Sequence, residues 1–315
     1  MEMKGKVAGY ALGVMAAASY GMNPVFAVPL YERGMNAESV LLWRYALAIP
    51  VVAFMLLARG RSLVIKPIGG VGTRQLTIQL VILGVLMAVS SLTLFASYNY
   101  MNSGIASTLL FIYPVMVAVI MAVMFSERMS WPAVLAMLLA LAGISLLYRN
   151  PSGATLSLLG SALVAVSALT YAIYIVAVNH MALKEMPTLL LTFYVLVFGT
   201  LVFIASFACG TQLTVPHGLF EWGNCLGLAV FPTAISFLCT TRAIHLIGST
   251  PTAILGAFEP ITAIVLGVTI LHQPISGREW WGVALILVAV TMTIASVPMS
   301  HFLNRLRRLW PRLNK

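Results

Sequence analysis

Long apolar stretches, separated by short groups of charged and turn-forming residues, follow one another along almost the whole chain. An α-helix needs about 20 apolar residues to cross the hydrocarbon core of a bilayer. The uncharged run from Gln75 to Ser126 is long enough for two crossings, with a turn at 99–104. The pattern predicts an all-α integral membrane protein whose ten transmembrane helices lie near 7–30, 39–58, 76–98, 103–125, 131–148, 156–179, 188–208, 223–244, 249–271 and 279–298.

Composition supports this prediction. Of the 315 residues, 61% are hydrophobic and only 8% are charged, whereas a soluble domain carries about 25% charged residues. A chain with so few charges cannot keep its surface hydrated, so we expect lipid to surround most of it. The apolar run from Val7 to Tyr31 is too long for a cleaved signal peptide, and we expect it to be retained as the first helix.

The basic residues predict the orientation. Positive charge concentrates on the cytoplasmic side of membrane proteins, and with the N-terminus inside, fourteen of the eighteen Lys and Arg residues face the cytoplasm. An even number of helices also returns the C-terminus to that side. We therefore expect a multi-pass protein of the cytoplasmic (inner) membrane with both termini inside. The basic tail, 299–315, is interpreted as an anchor on anionic lipid, and no nucleic acid is expected as a partner.

The sequence contains an internal repeat. An offset of 146 residues places Tyr113 and Pro114 on Glu259 and Pro260, each within a similar pair of apolar segments. The predicted repeats are 1–148 and 156–298, with five helices each. Because five is an odd number, the second repeat must enter the membrane inverted. Inverted repeats are typical of carriers that open a midplane site to each side in turn, although a duplication that serves assembly alone would leave the same pattern.

Three segments carry a family resemblance: LLWRYALA at 41–48, YPVMVAV with SERMS at 113–130, and FEPITAIVLG at 258–267. Their order and doubled spacing resemble the drug/metabolite transporter superfamily, specifically its EamA-type members with ten helices. The resemblance covers residues 7–297. It implies a metabolite carrier, often an exporter of amino acids or related small molecules. One position departs from the family pattern, because the second repeat has Gln273 where a glutamate is usual.

Glu259 is the strongest candidate for chemistry. All eight acidic residues are glutamates, and Glu259 alone falls near the middle of a predicted span. A carboxylate at membrane depth must be protonated, paired or in contact with water. It could titrate a proton or bind a substrate ammonium group, and the structural alternative is a protonated acid that bonds a neighbouring helix.

Arg44, next to Trp43, lies within the second predicted helix. It could bind a substrate carboxylate or neutralise Glu259 across a cavity. Alternatively, its side chain could extend to the headgroups of the outer leaflet.

Further candidates are prolines and polar side chains within the spans. A proline inside a helix leaves a carbonyl group unpaired and permits a hinge, which Pro24, Pro114 and Pro260 could each supply. The substrate-site candidates are Tyr20, Asn23, Trp43, Tyr98, Asn99, Tyr113, Tyr171 and Tyr174. About half of these are expected to serve helix packing only.

Together these features predict a secondary transporter, an exporter of amino acids or similar metabolites, and not an enzyme. The chain has no Walker sequence for nucleotide hydrolysis. We expect no cofactor and no metal, and the partners are a small-molecule substrate and the bilayer. An intramembrane enzyme or a regulatory protein without flux are the alternatives. A homodimer and a disulfide between Cys209 and Cys225 stay open.

Overall fold

The structure of the protein, a computed structural model, describes residues 2–97, 100, 109–126, 131–147, 157–208, 210–269, 277–278, 280–289 and 291–292. Regular structure within these ranges is helical, apart from one isolated bridge between Ile68 and Val71. The predicted all-α class is confirmed for the part of the chain that the structure describes.

The helices are α1 (Glu2–Gly21), α2 (Asn23–Glu32), α3 (Ala37–Ala58), α4 (Thr73–Ser97), α5 (Tyr113–Phe125), α6 (Trp131–Leu147), α7 (Leu158–His180), α8 (Thr188–Ala208), α9 (Gly218–Leu228), α10 (Ser236–Ile247), α11 (Ser249–Leu255), α12 (Phe258–Thr269) and α13 (Trp280–Ala289). A π-helical segment, Ala229–Ile235, joins α9 to α10. Six helical segments of the described chain are long and apolar enough to cross a membrane: Gly5–Glu32, Ala37–Ala58, Thr73–Ser97, Leu158–His180, Thr188–Ala208 and Gly218–Ile247.

The three predicted hinge prolines lie at the beginnings of helices. Pro24 and Pro114 occupy the first turns of α2 and α5, and Pro260 is the third residue of α12. Proline is favoured there because the first turn of a helix has no use for its missing N–H group. The first predicted span is interrupted at Met22, and the ninth predicted span is interrupted at Gly256–Ala257. Each proline begins a new helical segment within its predicted span, and the role of the three prolines as hinges stays a prediction.

The eighth span also differs from the prediction. It begins at Gly218, where a backbone φ of +84° is available to glycine, and not near 223. The apolar pattern does not reveal this start, because the polar residues Glu221 and Asn224 lie in the first turns of the helix. The span therefore runs from Gly218 to Ile247 and includes the π-helical segment.

Close packing joins the predicted halves. Helix α4 packs on α7 and α8, and α1 packs on α10 and α12. Ser90 of α4 donates to the Ser167 carbonyl of α7 at 3.0 Å, and Ser167 donates to the Ser90 carbonyl at 2.7 Å. Small residues permit such contacts between membrane helices because the backbones can approach closely. The seam between the halves is thus a tightly packed interface.

Candidate functional site

Arg44 lies inside the protein, as the eighth residue of α3. Its side chain is 1% exposed, and the guanidinium group contacts the π-helical segment of the opposite half. Nε donates to Oγ1 of Thr233 at 2.6 Å, and Nη2 donates to the Pro232 carbonyl at 3.0 Å. The side chain therefore does not extend to the lipid headgroups, which was the alternative interpretation of Arg44 from the sequence.

Local backbone geometry explains this contact. A π-turn widens the helix and frees backbone groups, and such turns are frequent at functional sites. Here Pro232, which has no N–H group, lies within the widened segment. Thr233 donates its hydroxyl hydrogen to the Leu228 carbonyl at 2.8 Å, which leaves an oxygen lone pair for Arg44. The π-helical segment thus supplies two hydrogen-bond acceptors for the guanidinium group and acts as its receptor within the protein.

Tyr20 and Asn23 lie on the other side of Arg44. The guanidinium carbon is 5.2 Å from the centre of the Tyr20 ring, a cation–π distance. Nη1 donates to Oδ1 of Asn23 at 3.4 Å. Arg44 therefore links the break between α1 and α2 to the π-helical segment. These contacts hold its side chain, and hence its positive charge, in one position.

A small central cavity lies next to this cation. Its volume is about 30 Å³, and residues of both halves line it. The polar lining comes from Tyr20, Tyr113, Tyr171, Ser236, Thr240, Thr252 and Glu259. A cavity needs about 10–15 Å³ of such volume to hold one water molecule. The central cavity is therefore contracted to the size of about two or three water molecules and is too small for a metabolite.

Among the described residues that line the central cavity, Glu259 presents the only acidic side chain. It lies in the first turn of α12, and within the described residues its carboxyl group has no ion-pair partner. Arg44 is close enough to act on it electrostatically. The central cavity thus combines an acid, a nearby cation and phenol groups, a set of groups that could bind both ends of a zwitterion.

Tyr113 and Tyr171 line the central cavity together with Glu259, and Tyr174 packs on Tyr171. Tyr113 donates its hydroxyl hydrogen to the Ala253 carbonyl at 3.1 Å, and its ring meets that of Tyr171 edge to face at 4.9 Å. Tyr174 stacks on Tyr171 at 6.2 Å but does not line the cavity. Tyr113 occupies the space next to Gly256 so closely that a β-carbon there would overlap its hydroxyl group.

This overlap predicts a coupled pair of substitutions. Gly256→Ala should lower the free energy of unfolding by about 1–3 kcal/mol, the usual cost of overpacking. In a Tyr113→Phe background the same change should cost clearly less, because the clashing oxygen is gone. Thermal unfolding of the four proteins in neutral detergent measures the coupling. Equal costs of Gly256→Ala in both backgrounds would contradict the described packing.

A polar and aromatic contact closes one end of the seam. Trp43 donates through Nε1 to the Thr214 carbonyl at 3.0 Å and packs edge to face on Trp222 at 5.1 Å. Thr214 donates its N–H to Oγ of Ser39 at 2.8 Å. Arg33 pairs with Glu221 at 3.4 Å. We call these six residues the Trp43 latch.

An open cavity of about 870 Å³ lies at the other end of α3. Its lining includes Arg59, Arg61, Lys66 and Arg242, with Glu185 as the only acid, above an apolar wall. We call this cavity the basic vestibule. From Trp43 to Arg59, a rise of 1.5 Å per residue separates the latch from the mouth of this vestibule by about 24 Å. The seam is closed at one end and open at the other.

The structure thus brings together most of the predicted site residues. Tyr20, Tyr113, Tyr171 and Glu259 line the central cavity, and Arg44, Asn23 and Tyr174 form its next layer. Trp43 lies apart, in the latch. Tyr98 and Asn99 fall outside the described residues, as do Cys209 and Gln273. Cys225 is buried and free.

Sequence reasoning missed the receptor for Arg44. The available signal was Pro232, a proline inside an apolar span and directly followed by a threonine. The latch partners on α9 were missed because the predicted helix began after Glu221 and Trp222.

Comparison with known proteins identifies the class. A model of the EamA-like transporter family matches the chain twice, over residues 7–149 and 158–295. The chain therefore belongs to the EamA-like transporter family, and the predicted resemblance is confirmed. It is also similar to an uncharacterized transporter of Archaeoglobus fulgidus, with 24% identity over 195 residues that cover 62% of this chain and 69% of that protein.

A solved crystal structure of another protein shares the fold. It superposes with a TM-score of 0.77 at 17% sequence identity, covering 93% of this chain and 98% of that one. The family match and the apolar helices establish a membrane transporter with a small-molecule substrate, built from two family repeats.

Proposed function

We propose that the chain is a secondary transporter that exports amino acids or similar small metabolites by alternating access. The observation that carries this proposal is the position of Arg44 and Glu259 beside one cavity lined by both family repeats. In this proposal Arg44 attracts the substrate carboxylate. Glu259 binds the substrate ammonium group, or a proton when that group is absent.

The two ends of the seam support alternating access. A solute in the basic vestibule is separated from the opposite side by the contracted cavity and the Trp43 latch. Transport requires the latch to open while the vestibule closes. The helix breaks at Met22 and Gly256–Ala257 flank the central cavity, so small rotations there would change its volume without breaking whole helices.

The proposed architecture has ten helices in two inverted five-helix repeats. Its support is the 146-residue offset together with the similar starts of α5 at Tyr113 and α12 at Phe258. The proposed location is the cytoplasmic membrane, with both termini and the basic vestibule on the cytoplasmic side. The positive charge of the vestibule supports that orientation.

Flux into proteoliposomes tests the function. Purified protein in liposomes should accumulate at least one solute from a panel of amino acids and related metabolites, faster than protein-free liposomes do. Mass spectrometry of the lumen separates the alternatives. An enzyme would yield a chemically changed solute, and a regulatory protein would yield no flux for any member of the panel. Either outcome would overturn the proposal.

A further inference from the structure

Four cations from both family repeats line the basic vestibule. Arg59, Arg61 and Lys66 come from the first repeat and Arg242 from the second. All four side chains are exposed, and Glu185 is the only acidic residue in the lining as far as the structure describes the chain. A cavity with walls of low dielectric constant focuses the field of such charges and raises the local concentration of anions.

Backbone hydrogen bonds anchor the segment 59–66, here called the basic loop, which carries three of these four cations. Helix α3 ends at Ala58, and Gly60 adopts a φ of +65°, which turns the chain back so that the Arg61 N–H donates to the Leu56 carbonyl at 3.1 Å. Farther along, Tyr194 donates its hydroxyl hydrogen to the Leu63 carbonyl at 2.7 Å. The basic loop is thus fixed on α8 of the opposite repeat.

The orientation of the protein in the membrane does not by itself require four cations to line the same cavity. Arg74, at the start of α4, and Lys184, which precedes Glu185 in the chain, are exposed cations that do not line the vestibule. They could satisfy a charge bias equally well. Positive charge is therefore concentrated in the vestibule beyond what the excess of Lys and Arg on the cytoplasmic side requires.

Below the cations the wall is apolar. It is formed by Leu12, Met55, Leu56, Leu190, Ile235 and Leu238. Ile235 is the last residue of the π-helical segment that holds Arg44. The vestibule thus extends from a cationic mouth along an apolar wall toward a second, buried cation.

We propose that the basic vestibule binds amphipathic anions, solutes with a carboxylate at the cationic mouth and an apolar body along the wall. Naming this ligand as the transported solute rests on the proposed function, whereas the binding itself does not. A volume of about 870 Å³ accommodates a molecule of drug size. The carboxylate is bound first at the mouth and afterwards by Arg44.

Two dansyl probes of opposite charge test this proposal. Dansylglycine is an anion and dansylcadaverine is a cation with the same fluorophore. Binding of each to the full chain in neutral detergent is followed by fluorescence. Arg59→Gln with Arg242→Gln removes one vestibule cation from each repeat. Arg74→Gln with Lys184→Gln is the matched control, since it removes the same charge outside the vestibule.

Wild-type protein should bind dansylglycine about tenfold more tightly than dansylcadaverine. The vestibule pair should weaken dansylglycine binding by about five- to tenfold, as expected for two partly screened contacts, and leave dansylcadaverine unchanged. The control pair should change neither by more than about twofold. Equal effects of both pairs, or equal affinities of both probes, would overturn the proposal.

Two further outcomes are distinguishable. Selective binding of dansylglycine without flux of any panel solute would refute the proposed function and leave the vestibule site standing. Copurified anionic phospholipid that dansylglycine cannot displace, and that the vestibule pair releases, would identify a lipid as the occupant and overturn the proposal.

Discussion

Replacement of Arg44 by glutamine should abolish transport and destabilise the fold. The guanidinium group donates to the Pro232 carbonyl, Thr233 and Asn23 at once, and a glutamine side chain can satisfy only part of this set. Loss of hydrogen bonds to a buried charged group costs about 1.5–3 kcal/mol each. We expect a loss of about 3–5 kcal/mol in the free energy of unfolding, measured by thermal unfolding in neutral detergent.

The variant Arg44→Lys distinguishes an effect on transport from an effect on the stability of the fold. The ammonium group keeps the charge, but it lacks the planar fork that binds two acceptors. We expect the folded protein to persist, with KM for the best panel solute raised at least about tenfold by loss of the fixed geometry. Arg278→Gln, a change at an exposed arginine that donates to the Ser145 carbonyl at 3.1 Å, is the control. Wild-type flux by Arg44→Gln would remove Arg44 from the site.

Replacement of Glu259 by glutamine should have the second largest effect. Glutamine has nearly the same shape and cannot ionise, and within the described residues the carboxyl group has no ion pair to lose. We therefore expect the unfolding temperature to change by only about 2 °C or less, since a replacement of nearly equal volume that breaks no ion pair disturbs the packing little. Flux should fall by at least about a hundredfold, because the variant lacks the carboxylate that binds the proton or the substrate ammonium group.

The pH profile adds a readout that packing alone would not change. Wild-type flux should vary with pH, because Glu259 must exchange a proton or an ammonium group in each cycle, and residual flux of the variant should be independent of pH. Glu32→Gln, at an exposed helix end, is the control. Unchanged flux and an unchanged pH profile in Glu259→Gln would show that the acid only packs.

The sequence predicted the class and most of the site because membrane depth penalises polar groups. An acid and an arginine within apolar stretches are conspicuous, and Glu259 and Arg44 were found in this way. Helix lengths near 20 residues likewise follow from the bilayer thickness. These signals depend on single residues and on their neighbours along the chain.

Contacts between distant segments were not predictable in the same way. The receptor for Arg44 is a carbonyl and a hydroxyl that a π-turn exposes nearly 190 positions away, and no pattern of apolar residues encodes that turn. Trp43 was one of the predicted substrate-site residues. Neighbouring helical residues point about 100° apart, so Trp43 contacts the Thr214 carbonyl and Trp222 instead.

A cross-link across the Trp43 latch tests alternating access most directly. In a chain with Cys209→Ser, Cys225→Ala and Cys239→Ala, the changes Ser39→Cys and Thr214→Cys introduce two thiols where Oγ of Ser39 now accepts from the Thr214 backbone. Oxidation should lock the latch closed. Flux of the best panel solute into proteoliposomes should then disappear and return after reduction, while the Ser39→Cys single variant is unaffected by oxidant. Full flux through the cross-linked protein would contradict a pathway that opens at the latch.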